Sequence, residues 1–127
     1  MIYAADPRTI REGSEASQRP FETIIPLAAR VNLQPVITYA QGDEVPLAKE
    51  IVGLSGVVLV SWEHKAIAKV LLPAIAMGQN LPGIPRKWDG NRYDIVLRFD
   101  RVAPGAPWSF RQLFPRLLSG DSNLPMK

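Results

Sequence analysis

The order of patterned segments predicts an α/β domain of three layers, β-α-β-α-β-α-β-β, with a parallel first part and an antiparallel hairpin at the end. Three observations carry this. Short aliphatic runs at residues 2–5, 36–39 and 57–60 alternate with stretches of helical period. Tyr93, Ile95, Leu97 and Phe99 alternate with Asp94, Val96, Arg98 and Asp100, the period of a strand with one buried face. A turn from Ala103 to Pro107, rich in proline and glycine, then separates that strand from the run Trp108 to Leu113, which makes a hairpin.

The 127 residues suit one domain with its own core. With 46% hydrophobic and 21% charged residues the chain is globular and not disordered. Its 12 prolines fall mostly between elements, so they read as loop punctuation and not as a polyproline ligand. The net charge of +3 comes from arginines and lysines scattered among acids. No nucleic-acid partner is expected from that pattern, whereas a phosphate-sized anion is. The absence of cysteine excludes disulfides, thiolate zinc sites and thiol catalysis. The first residues lack a signal peptide's basic region and apolar run, and no apolar stretch approaches the roughly 18 residues of a membrane span. A cytoplasmic protein without a membrane partner is expected.

Ile2 to Ala5 reads as a strand ended by Asp6-Pro7, and residues 6–18 as a polar loop long enough to be functional. Pro20 suits a first helical turn. Ile24, Leu27, Ala28 and Val31 share one face of a helix running to about Asn32, kinked at Pro26. Arg19 then stands at the helix's amino end, where an anion meets a guanidinium and free backbone N–H groups together. Val36 to Tyr39 reads as a second strand. Gly42-Asp43-Glu44 opens a helix capped by Asp43 or Glu44, with Leu47, Ile51 and Leu54 inward.

The stretch Gly56 to Lys65 is the centre of the chain. Val57-Val58-Leu59-Val60 reads as a strand covered on both faces. Glu63 and His64 follow at its carboxyl end, where open α/β sheets bind ligands. His64 is the only histidine. A helix from Lys65 to Met77 is predicted to bury Ile67, Val70, Leu71 and Ile75, bend at Pro73 and stop at Gly78. Residues 79–92 read as an irregular loop.

Five segments in sequence order resemble the histidine phosphatase superfamily, the phosphoglycerate-mutase-like proteins, over nearly the whole chain. They are residues 2–7, Ser17-Gln18-Arg19-Pro20-Phe21-Glu22-Thr23, residues 57–65, Trp88 to Asp94 and Leu117 to Ser122. The resemblance implies a mixed sheet of strand order 3-2-4-1-5-6 and a pocket in which two arginines and two histidines hold phosphate. Fixed cationic donors suit a phosphoryl transition state whose charge spreads over its equatorial oxygens. On this resemblance Arg19 is one phosphate-binding arginine, His64 the second histidine, and Glu63 a general acid. Without it, Arg19 is a surface residue pairing with Glu15 or Glu22, and Glu63 a solvated loop carboxylate.

The family's nucleophile lies in an Arg-His-Gly motif on its first strand, which would precede the segment matching Ile2 to Asp6. The chain has no counterpart, and Arg11-Glu12-Gly13 is no substitute. A missing first strand would leave the Val57 and Tyr93 strands flanking a gap, closed by their direct antiparallel pairing or by another chain, including a second copy. Three functions are therefore expected in turn. The first is a truncated or degenerate histidine-phosphatase-like domain that keeps part of a phosphate site without hydrolysis. The second is a non-catalytic binding or assembly module, and the third an active phosphomonoester hydrolase whose catalytic segment is not in this chain. The expected partner is phosphate or a phosphorylated small molecule. No Walker-type, dinucleotide or metal-ligand spacing occurs, so neither cofactor nor metal is expected.

Overall fold

A computed structural model describes residues 1–9 and 17–127. Arg11, Glu12, Gly13 and Glu15, and with them part of the loop expected at residues 6–18, lie outside the described residues. The fold is mixed α/β, with one parallel strand pair, one antiparallel hairpin and helices packed on the parallel pair.

Strand β1 (Ile2–Ala4) is buried along its whole length. It pairs in parallel with β2 (Leu59–Ser61), Tyr3 standing opposite Val60. On its other side Tyr3 forms a parallel bridge to Val36. There the Ala4 N–H donates to the Val36 carbonyl at 3.1 Å, and the Val36 N–H to the Ile2 carbonyl at 2.8 Å. The next bond runs from the Asp6 N–H to the Tyr39 carbonyl at 2.9 Å. That acceptor is one residue later than a regular parallel ladder would use, so an extra residue interrupts the pairing. The strand expected at Val36 to Tyr39 is therefore a single bridge followed by extended chain.

Because successive strand residues point to opposite faces, β1 supports helices on both. Ile2 and Ala4 pack against Ile24 and Ala28 of α1 (Arg19–Arg30). Tyr3 and Ala5 pack with Leu47 and Ala48 of α2 (Glu44–Val52) and with Trp62, Leu71 and Ile75. The last two belong to a helix that begins as α3 (His64–Ala66), widens into a π-helical turn (Ile67–Leu71) and ends as α4 (Leu72–Ala76). The Leu72 N–H donates five residues back to Ile67, and Pro73 has no N–H to continue an α-helical ladder. The extra residue rotates the buried stripe onto Ala68, Leu71, Leu72 and Ile75, which leaves Val70 outside. Its expected burial is thus corrected.

Helix α1 buries the narrow i, i+4, i+8 stripe Pro20, Ile24 and Ala28. Leu27 and Val31, expected on the same face, are exposed, because among the described residues α1 packs mainly on β1, β2 and Ile37, a surface that covers little more than one stripe. The second sheet joins β3 (Val96–Asp100) to β4 (Ser109–Leu113), with Phe99 opposite Phe110. Tyr93, expected in this strand, is exposed and precedes it. The C-terminal segment is tied back by polar contacts. The Arg92 Nε meets Asp94 Oδ1 at 2.8 Å, the Ser122 N–H donates to Asp94 Oδ2 at 2.9 Å, and the Gln112 side chain bonds both backbone groups of Met126.

Strands β2 and β3 do not pair: among the described residues the strands form two separate two-stranded sheets. The direct closure expected for the gap is not made. Consistent with that, Val57 is 87% exposed and Leu59 to Ser61 are only half-buried, so the strand expected to be covered on both faces is not. Gly56, at φ +80°, turns the chain just ahead of Val57.

Candidate functional site

A cavity of about 580 Å³ lies between the two sheets. Val58, Leu59, Val60 and Ser61 line it from one side; Ile95, Val96, Leu97, Phe99 and Asp100 line it from the other. A strand that presents a face to a cavity contributes every second residue. Both strands here contribute consecutive residues, so both meet the cavity edge-on. Ile24 of α1 lines it as well, as do Leu71, Leu72 and Ile75 of the 64–76 helix. Since these helices pack on opposite faces of β1, the cavity occupies the level of the sheet itself.

The hydrogen-bond pattern agrees with an open edge. In β2 the Leu59 N–H donates to Met1, on the β1 side. In a parallel ladder the intervening residues, Val58 and Val60, point their N–H and C=O the other way. Among the described residues those groups have no partner.

Charge at the cavity wall is already engaged. Arg101 donates to the carbonyls of Val52 at 2.5 Å and Leu54 at 3.2 Å, and its guanidinium lies 4.2 Å above the Trp108 ring. Asp100 meets the Arg98 Nε.

The three residues singled out from the sequence lie next to this cavity but do not line it. Glu63 is the N-cap of α3: its Oε1 accepts the Lys65 N–H at 2.9 Å and its Oε2 the Ala66 N–H at 2.8 Å. Both oxygens are thus engaged as acceptors in a cap that the sequence reading did not assign. His64 turns Nδ1 to Glu63 Oε1 at 3.1 Å, keeps its side chain 45% exposed, and sets its ring edge-on to Trp88 at 6.4 Å. Trp88 lines the cavity. Arg19 opens α1 with its side chain exposed, and Thr23, one turn on, lines the cavity. The α1 cap residue Gln18 makes no side-chain bond to the first turn. Among the described residues no hydrogen bond or ion pair joins Arg19 to His64.

Other contacts had no sequence signal. Tyr3 donates to Glu50 Oε2 at 2.5 Å and Tyr39 to Glu50 Oε1 at 3.0 Å. Burial and then the Glu50 carboxylate push the Tyr3 hydroxyl up to about 12. The hydrogen bond to Glu50 raises Tyr39 as well. Glu44 is buried and accepts from the Trp62 indole at 3.3 Å and the Gly42 N–H at 3.2 Å. The tyrosine and indole contacts join residues 11 to 47 positions apart, and period and spacing do not report such pairs. Among the described residues no group of three His, Asp or Glu side chains is placed to hold a metal, and no helix is long and apolar enough to cross a membrane. Compared with protein-family models, with curated proteins and with solved structures, the chain matches none.

Proposed function

We propose that this chain is a histidine-phosphatase-like domain lacking the strand that bears the nucleophile: a three-layer α/β/α arrangement that keeps a partial site for phosphate or a phosphorylated small molecule and does not hydrolyse it. One observation supports this above the others. Val36, β1, β2, the cavity, β3 and β4 lie in the sequence of the strand order 3-2-4-1-5-6, with the cavity in the position of strand 1.

In this reading Arg19 and the first-turn N–H groups of α1 bind the anion's oxygens. His64, whose Nδ1 lies 3.1 Å from Glu63 Oε1, offers Nε2. Glu63, whose oxygens cap α3, stands beside that ring. These 127 residues carry one histidine, so they do not by themselves supply the pair that the two-histidine route uses.

Inorganic phosphate titrated against the chain, with the His64 ring followed by NMR, tests the site. A saturable shift that disappears in Arg19→Ala is expected. No shift, or a shift indifferent to Arg19→Ala, contradicts the shared site. An aryl phosphate should give only background turnover; robust hydrolysis lost in His64→Ala would overturn the non-catalytic reading.

A further inference from the structure

We propose that the cavity between β2 and β3 is an acceptor slot for one extended, mostly aliphatic peptide strand donated by another polypeptide, which hydrogen-bonds to both edges at once. The inference goes beyond the anion site and stands whether or not Arg19 and His64 bind phosphate.

The two edges define the occupant's backbone. Val58 and Val60 direct their amide and carbonyl groups away from β1, and every second residue of β3 directs its own away from β4. An extended chain carries donors and acceptors on both sides at the repeat these edges present. A small apolar molecule would leave the backbone groups unsatisfied in a low-dielectric site.

Size and lining define the rest. A strand rises about 3.3 Å per residue, with neighbours about 4.8 Å away and packed layers about 10 Å apart, so each residue occupies about 160 Å³ and the 580 Å³ cavity holds about four. Val58 to Ser61, the wall on the β2 side, is four residues long. Alternate side chains of the guest would meet Ile24 on one face and Leu71, Leu72 and Ile75 on the other. These four side chains are aliphatic, so the guest presents apolar side chains in both directions, as central strands do.

The slot's form also selects the source. The four described strands each already have a paired neighbour. The edge strand of a second folded copy would bring that neighbour into a space flanked by strands on both sides and helices on both faces. A segment free of its own sheet fits; a folded copy does not. Such donation of a strand to an exposed edge is a recurring mode of peptide recognition.

The test uses the full chain and a capped peptide, acetyl-Lys-Val-Ile-Ala-Val-Lys-amide, followed by amide hydrogen exchange. Saturating peptide should slow exchange at Val58 and Val60 by about tenfold, the factor of one net hydrogen bond. The amides of β3 that face away from β4 should slow with them. The same peptide N-methylated at every internal residue keeps its apolar side chains and should give no protection. Arg19→Ala should bind the unmodified peptide as the parent does, which separates failure of the slot from failure of the anion site. Three results would overturn the proposal: no protection by the peptide, equal protection by the N-methylated peptide, or a dimer in which these amides are protected with no peptide present.

Discussion

β1 and β2 are hydrogen-bonded neighbours of similar aliphatic character, yet every residue of β1 is buried and every residue of β2 is half-exposed. The difference is one of edges. β1 has β2 on one side and Val36 on the other, with helices over both faces; β2 has β1 on one side and a cavity on the other. Hydrophobicity along a strand reports whether its faces are covered. It says nothing about how many neighbours the strand has.

Truncations on the two sides of this comparison should differ sharply. Leu47→Ala, beneath β1 at a site of 0% exposure, should cost about 3 kcal/mol in urea unfolding. Asp94→Ala should lower the urea midpoint by less than Leu47→Ala does, since it takes the carboxylate from the Arg92 guanidinium and the Ser122 N–H. It should also speed exchange at the Ser122 amide, and unchanged exchange there would show that the tail is held by other contacts. Trp62→Phe shrinks a buried ring system and takes a donor from buried Glu44, for about 2 kcal/mol. Val60→Ala, in a wall that faces a cavity, should cost about 0.5 kcal/mol, less than core truncations do. A loss for Val60 as large as that for Leu47 would mean that β2 is packed as β1 is.

Tyr3→Phe removes the hydrogen bond to Glu50, a loss that should be full at neutral pH and shrink in alkali. The folded state holds the Tyr3 proton up to about 12, against an ordinary value of 10.0. The native state therefore binds more protons than the unfolded chain over that interval, and stability falls as pH rises. Unfolding midpoints of the parent should fall from about pH 10 toward pH 12, and those of Tyr3→Phe should fall less. The opposite sign operates in acid. Arg92 first, and then the Ser122 N–H, hold Asp94 below its ordinary 3.8, so its contribution is present above that pH and lost below it.

The parts legible in the sequence are those set by local period and punctuation. Leu47 announces the buried side of α2, and Asp43 marks its start. The alternation at 95–99 and the turn at 103–107 place the hairpin, and Pro20 places Arg19 at the opening of α1. What failed depended on partners distant in the chain. Val36 to Tyr39 has a strand's composition, but the extra residue between its bonds to Ala4 and Asp6 exists only in the pairing. Leu27 and Val70 have the right period, and the width of the surface opposite and a π-helical turn expose them. Glu63 directly precedes a helical pattern and could have been read as a cap from that position alone. The cavity is made by two edges about 35 residues apart in sequence, and no local pattern marks it.

Amide exchange of Ala4 and Val60 in the chain alone is the most direct test that β2 has an open edge. Ala4 donates to Val36 and is buried, whereas the Val60 N–H faces the cavity. Val60 should exchange at least about tenfold faster than Ala4, the factor of one net hydrogen bond. Equal protection of the two amides in a monomer would mean that the second edge of β2 is already paired, and the slot would not exist.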